Sequence, residues 1–118
     1  MPAAKLNLAI EQGATFKHNL SLKAGDVAAP SMNLAGYKAR MQMRPDLVSD
    51  EVVLELTSAN GRIVITPNTG NLLLTLTAAE TGALTFTKVV YDLELESPVG
   101  EIVRLLQGGV SLSKQVTR

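Results

Sequence analysis

The sequence predicts an all-β fold: a small antiparallel β-sandwich, immunoglobulin-like or jelly-roll-like, of about eight strands in a single domain spanning residues 1–118. Apolar and polar residues alternate with a period of two along most of the chain, as in half-buried strands. Turn-forming residues interrupt this alternation at short intervals. A chain of 118 residues is long enough for one hydrophobic core. Because 46% of the residues are hydrophobic but only 3% are aromatic, we expect this core to be aliphatic.

The first three predicted strands cover residues 5–11, 16–23 and 37–44, and Pro45 ends the third. A loop over residues 26–36 joins the second to the third. Each strand has apolar residues at every second position, which predicts one buried face. These inward residues are Leu6, Leu8 and Ile10, then Phe16, His18, Leu20 and Leu22, then Tyr37, Ala39, Met41 and Met43.

The pair Asn60-Gly61 lies between two alternating apolar runs, 51–57 and 62–66. Asn-Gly is favoured where both central residues of a tight turn need positive φ, so the sequence predicts a β-hairpin at this point. Residues 68–70 (Asn-Thr-Gly) predict the next reversal, before a strand over residues 71–76.

A short helical turn is predicted over residues 77–84, because Thr77 and Glu80 have capping-box spacing and Gly82 is suited to stop a helix. A second hairpin is predicted around residues 97–100. The pair Gly108-Gly109 predicts a β-bulge before a last strand over residues 110–112, and residues 107–118 read as a polar tail.

Composition excludes several classes of function. The chain has no cysteine, which excludes disulfides, thiolate metal sites and a cysteine nucleophile. Eleven basic and eleven acidic residues cancel, so neither nucleic acid nor a membrane is an expected partner. We also expect no signal peptide and no transmembrane segment. Zero net charge with a mean hydropathy of +0.17 is unusual for a free monomer and suggests that some apolar surface meets another subunit.

Candidate chemical groups are few. The single histidine, His18, lies between inward-facing residues, and no second His or Cys exists to share a metal with it, which favours a structural imidazole. Asp92, Glu94 and Glu96 share one strand face and could bind a hard cation, but same-face neighbours are about 7 Å apart, which favours a solvated face. These carboxylates are expected to pair across strands with Lys38, Arg40 and Arg44.

We therefore expect no enzyme: no catalytic, metal or cofactor-binding residue is predicted, and no cofactor. The glycines form neither a phosphate-binding loop nor a dinucleotide fingerprint. A carbohydrate-binding or adhesion module on the same sandwich is the alternative function. Such a module usually needs exposed aromatic residues to stack on sugar rings, and this chain has only four aromatic residues, most of them on apolar faces: Phe16, Tyr37, Phe86 and Tyr91.

Five segments resemble small structural proteins of tailed-bacteriophage virions, of the tail and baseplate type, and the β-sandwich N-terminal domains of upper baseplate proteins. They are IEQGATF at 10–16, LAGYKARMQMR at 34–44, TAAET at 77–81, YDLELESPVG at 91–100 and RLLQGGV at 104–110. The resemblance covers nearly the whole chain and carries no active-site residue.

The resemblance implies a virion protein, assembled in the host cytoplasm, that acts as an assembly adaptor in the tail, baseplate or head-to-tail connector. Its implied partners are other virion proteins and copies of itself, in a ring or trimer. Exposed sheet edges fit this role, because an uncovered edge can pair with another chain. The expected contact regions are the two termini and the loops 26–36 and 45–50.

Overall fold

The computed structural model describes residues 4–21, 34–66 and 70–117, and these residues form two β-sheets and one short helix. The strands are β1 (Ala4–Lys5), β2 (Leu8–Glu11), β3 (Phe16–Ser21), β4 (Lys38–Arg44), β5 (Leu54–Thr57), β6 (Ile63–Thr66), β7 (Asn71–Leu76), β8 (Lys88–Glu96) and β9 (Ile102–Ser113). The helix α1 (Ala78–Gly82) lies between β7 and β8. The predicted all-β fold is confirmed.

One sheet has the order β1-β9-β8-β4-β5, with β2 continuing beside β9, and the other has the order β3-β7-β6. This is the strand order of an immunoglobulin-type sandwich. Neighbouring strands are antiparallel with one exception: β1 and β2, two segments of one interrupted strand, run parallel to β9. The sandwich is therefore not antiparallel throughout, contrary to the prediction: its first strand segments, β1 and β2, pair in parallel with its last strand, β9.

The core between the sheets is aliphatic, as predicted from composition. The inward residues of β4 and β8 are at most 4% exposed, and the alternation predicted for both strands is confirmed. The inward residues of β7 are buried to the same degree. These fully or almost fully buried side chains are Ala39, Met41 and Met43 on β4, Val89, Tyr91, Leu93 and Leu95 on β8, and Leu72, Leu74 and Leu76 on β7.

The interruption between β1 and β2 lies directly over Gly108 of β9. The Leu6 carbonyl is so close to Gly108 that a Cβ atom there would overlap its oxygen. That carbonyl accepts a 2.7 Å hydrogen bond from the Tyr91 hydroxyl, and the Asn7 side-chain oxygen accepts one of 3.0 Å from the Gly109 N–H. Burial raises the pKa of Tyr91 to about 12, so its hydroxyl stays a donor at neutral pH.

The predicted hairpin at Asn60-Gly61 is wrong. Gly61 has a positive φ of 81°, but β5 pairs with β4 in one sheet while β6 pairs with β7 in the other. The turn therefore transfers the chain between sheets. The Asn60 side-chain oxygen accepts hydrogen bonds from the Thr57 and Arg62 N–H groups, so it stabilises a turn that is not a hairpin.

The predicted bulge at Gly108-Gly109 is also wrong. The register shift in the β8–β9 pair lies between Leu93 and Glu94, and both glycines belong to the uninterrupted strand β9. The need for a glycine at position 108 comes instead from the Leu6 carbonyl, which is distant in sequence but lies so close that a side chain would not fit. The predicted polar tail is ordered into the sheet up to Ser113, and the Gln115 N–H donates to the Gln12 side chain at 2.8 Å.

The capping box is confirmed: the Thr77 hydroxyl accepts from the Glu80 N–H at 3.1 Å, and the Glu80 carboxylate accepts from the Thr77 N–H at 2.8 Å. The helix ends at Gly82, with Ala83 as its C-cap in a right-handed conformation. The turn at 97–100 joins β8 to β9 as predicted, and Gly100 has a φ of 90°. Most of the predicted loop 26–36 and residues 68 and 69 lie outside the described residues.

Candidate interaction surfaces

The outer face of the larger sheet carries a ladder of charged residues across three strands. An Arg40 Nη of β4 lies 3.5 Å from a Glu94 carboxylate oxygen of β8, and the Arg104 Nε of β9 lies 3.5 Å from Asp92. Lys38 is in register with Glu96. The predicted pairing of the acidic row is thus confirmed for Glu94 with Arg40, whereas Asp92 pairs with Arg104 of β9 and Arg44 donates instead to the Ser49 carbonyl and the Gln42 side chain. Because these side chains are largely exposed, we expect each pair to contribute little stability and mainly to fix the register.

A groove of about 800 Å³ follows this face. Its lining is mainly polar and charged, with cations and carboxylates interspersed. The charged residues that line it are Lys5, Arg40, Arg44, Asp46, Asp92, Glu94 and Arg104. Since the cations are matched by nearly as many carboxylates, the groove is suited to a polar partner rather than to a polyanion.

The acidic row Asp92, Glu94 and Glu96, for which the sequence favours a solvated face over a cation site, has no further acidic or histidine ligand beside it in the described part of the chain. Among residues 4–21, 34–66 and 70–117, no three His, Asp or Glu side chains come together as metal ligands. His18 lies half-buried on β3, opposite Leu74 of β7. It is on the other sheet from Asp92 and Glu94, so the sequence-predicted candidates do not converge on one site.

All four aromatic side chains belong to the core or pack against it. Tyr91 is 4% exposed, and Phe16, Tyr37 and Phe86 are partly buried against the core cluster. None of them forms an exposed platform of the kind on which a sugar ring stacks.

The loop between β4 and β5 presents two adjacent aliphatic side chains to solvent: Leu47 is 89% and Val48 is 90% exposed. The loop is nevertheless braced. The Val48 N–H donates to the Asp46 carboxylate at 3.0 Å, and the Arg44 guanidinium donates to the Ser49 carbonyl at 2.9 Å. These hydrogen bonds restrict the backbone that carries the two apolar side chains.

This loop, residues 46–51, is also acidic. Asp46, Asp50 and Glu51 are exposed, and the Arg44 guanidinium that lies beside them is directed at the Ser49 carbonyl and at the Gln42 side-chain oxygen, 2.8 Å away. We call residues 46–51 the acidic loop. It combines an apolar tip with three carboxylates and overlaps the contact region 45–50 predicted from the sequence at residues 46–50.

A second surface lies where β4 begins and β5 ends. It is a cleft of about 320 Å³ lined by β4, the end of β5 and the residues after it, β8 and the start of β9. Ala59 and Ile102, which is 58% exposed, contribute apolar surface to it, and two cations and two carboxylates also line it: Lys38, Arg40, Glu94 and Glu96. Sequence reasoning missed this cleft, because its lining comes from four strands and the segment after β5, which only the fold brings together.

No family model matches this sequence, and no curated protein matches it. Among solved structures, the chain is similar to Drosophila OTK, extracellular domains 3-5, with 13% identity and a TM-score of 0.38. The match covers 94% of this chain and 33% of that one, so this chain spans about a third of the length of the structure it matches.

Within the described residues, no helix has the length and apolar character needed to cross a membrane. The single helix there, α1, has five residues.

Proposed function

We propose that this chain is a structural protein of tailed-bacteriophage virions and acts as an assembly adaptor in the tail, baseplate or head-to-tail connector. The observation that carries the proposal is the pair of nearly fully exposed aliphatic side chains, Leu47 and Val48, on a hydrogen-bonded loop. A preformed apolar tip loses little conformational entropy when it docks, which is what a repeated assembly contact requires.

The resemblance of five segments to tail and baseplate proteins supports the same function. The partners would be other virion proteins and further copies of this chain, and the location would be the virion. Many identical contacts in a symmetric particle allow each one to be modest, about 800 Å² on each side.

A carbohydrate-binding module is the second candidate, and one observation favours it. The groove on the outer face carries Gln42, Gln107 and charged side chains that could hydrogen-bond to sugar hydroxyls. The placement of all four aromatic residues in or against the core weighs against it. A glycan array separates the two candidates, because only the module should bind sugars in a way that Gln42→Ala weakens.

The test of the adaptor function is incorporation into particles. Purified virions of the phage that encodes the chain should contain it in a fixed ratio to the other structural proteins, as measured by quantitative mass spectrometry. A double variant, Leu47→Ser with Val48→Ser, should be lost from the particles, since the apolar anchor is gone.

Val116→Ser is the matched control, because Val116 is also 89% exposed but lies near the C-terminus. It should be incorporated like the wild type. Virions that lack the wild-type chain, or that retain the double variant in full, would contradict the proposal.

A further inference from the structure

The strand β6 forms an edge of the smaller sheet, and among the described residues it pairs only with β7. The Thr75 N–H donates to the Arg62 carbonyl at 2.8 Å, and these two residues continue the β6–β7 register by one position. Hydrogen-bonded and non-hydrogen-bonded pairs alternate along antiparallel strands, so Val64 also bonds to β7. The N–H and C=O groups of Ile63 and Ile65 therefore point away from β7, toward the open side of the sheet.

The edge strand β5 is blocked against a further strand. The Glu55 carbonyl accepts hydrogen bonds from the Asn60 side chain, at 3.1 Å, and from the Arg62 guanidinium, at 2.9 Å. The Thr57 N–H donates to the Asn60 side-chain oxygen at 3.0 Å. Side chains of the following turn thus occupy the backbone groups that another strand would need.

The remaining edges of the described residues carry charge, which is one of the ways in which natural sheets prevent strand addition. Lys17 lies on β3, Lys5 and Glu11 lie on the β1–β2 segment, and Arg104 lies on the part of β9 that β1 does not reach. By contrast, the four residues of β6 are Ile-Val-Ile-Thr, with no charge and no proline, and their pairing with β7 has no register shift. The edge that is left open to a further strand is therefore β6.

We infer that β6 pairs antiparallel with β6 of a second copy. The two smaller sheets then form one sheet of order β3-β7-β6-β6-β7-β3. A two-fold axis at Val64 places Ile63 of each copy opposite Ile65 of the other, and these are the residues whose backbone groups point outward. Each such pair can form two hydrogen bonds.

The side chains fit the same register. Val64 is 46% exposed on the outer face of the sheet, and it meets Val64 of the second copy with Cβ atoms about 5 Å apart. Arg62 falls opposite Thr66 of the second copy, so the pairing does not bring the two guanidinium groups together. The strand is therefore complementary to itself in hydrogen bonding, in apolar contact and in charge.

The inference rests on the proposed assembly function, which requires contacts between copies, and it names the strand that makes one of them. A pair of four-residue strands buries far less than the roughly 800 Å² on each side of a standard interface. We therefore expect weak association in solution, which a particle that repeats the contact would reinforce.

Two variants with opposite charges test the contact. Val64→Lys and Val64→Glu each place like charges directly opposite one another, so each variant alone should associate roughly tenfold more weakly than the wild type. An equimolar mixture of the two should recover association, because Lys then meets Glu. Val103→Lys is the matched control, since Val103 is also 46% exposed but lies on β9 of the other sheet, and it should associate like the wild type. Urea unfolding checks that all three variants keep a stable fold.

Sedimentation equilibrium up to about 1 mM protein measures the association. Amide exchange measured by NMR over the same concentrations locates it. The Ile63 and Ile65 amides should exchange more slowly as the protein associates, whereas the Val64 amide, which is already bonded to β7, should change much less.

Three outcomes would overturn the inference: a wild type that stays monomeric up to about 1 mM, association that leaves exchange at Ile63 and Ile65 unchanged, or a mixture that associates no better than its components. None of them bears on the adaptor function, which is decided by incorporation into particles. Conversely, association through β6 by a chain that virions lack would leave the inference standing without the proposed function.

Discussion

Thr81 is the only buried polar side chain among the described residues, with 0% exposure. Its hydroxyl accepts a hydrogen bond from the Gly13 N–H at 3.1 Å and donates to the Ala14 carbonyl at 2.8 Å. It thus connects α1 to the turn between β2 and β3. The sequence predicted the capping box at Thr77 and Glu80, because its partners are three residues apart, but not this contact, whose partners are 67 and 68 residues away.

Replacing Thr81 by Val should lower the free energy of unfolding by about 1–3 kcal/mol, because the Gly13 N–H and the Ala14 carbonyl lose their partner while the shape is kept. Urea denaturation at neutral pH measures the effect. Thr81→Ser retains the hydroxyl and should cost clearly less. A loss in Thr81→Ser with no loss in Thr81→Val would show that the methyl group, and not the hydrogen bonds, stabilises this junction.

Glu80 makes stability depend on acid pH. The hydrogen bond from the Thr77 backbone, and then the Arg62 guanidinium, hold the pKa of Glu80 below its ordinary value of 4.5. A carboxylate with a lowered folded-state pKa stabilises the protein above the unfolded-state value, and this contribution is lost as the pH falls through the folded-state value.

The variant Glu80→Gln keeps an acceptor for Thr77 but has no charge to titrate. The wild type should therefore be more stable than the variant above pH 4.5, and the difference should shrink as the pH falls further. Thermal unfolding at a series of pH values measures it. A difference that does not change with pH would show that the charge of Glu80 contributes nothing.

At the scale of elements, period-two patterns predicted β4, β7 and β8 because each of these strands has a single buried face. The sequence did not predict which strands pair with each other. Asn60-Gly61 does form a turn, but the choice of sheet for β5 and β6 depends on which face of each strand meets the core. Local turn chemistry does not contain that information.

The close contact between the Leu6 carbonyl and Gly108 predicts different effects of substitution at two adjacent glycines. Gly108→Ala would drive a Cβ into the Leu6 carbonyl and should cost about 1–3 kcal/mol, because backbone must move. Gly109→Ala meets its nearest atom at 3.7 Å and should be neutral or slightly stabilising.

Chemical denaturation of the two variants gives this comparison directly. Similar free energies of unfolding for both would mean that the N-terminal segment does not lie over Gly108. A lower free energy of unfolding for Gly108→Ala alone would confirm that the Leu6 carbonyl lies against Gly108.

At the scale of the whole molecule, composition and alternation were enough to predict two sheets around an aliphatic core. They could not predict the cleft where β4 begins and β5 ends. That cleft is lined by Lys38, Ala59 and Ile102 among others, and residues so distant in sequence leave no local pattern. The same reason applies to the parallel pairing of β1 and β2 with β9.

The sheet order predicts how amide hydrogen exchange is distributed over the molecule. β8 has a partner on both sides along its length, while β5 and β6 are edge strands. Amides in the centre of β8 should exchange only on global unfolding, and at least about tenfold more slowly than those of β5. Exchange measured by NMR at neutral pH checks this, and equal protection in β5 and β8 would contradict the strand order.

The parallel pairing of β1 and β2 with β9 also has a consequence for biosynthesis. Asn7 and Gly109, which the pairing brings into hydrogen-bonding contact, are 102 residues apart in the chain. During translation the first strand segments emerge from the ribosome long before their partner has been made, so they stay unpaired while most of the other strands appear. Closing so large a loop is slow in folding, and we expect the nascent chain to need protection from aggregation until β9 is released.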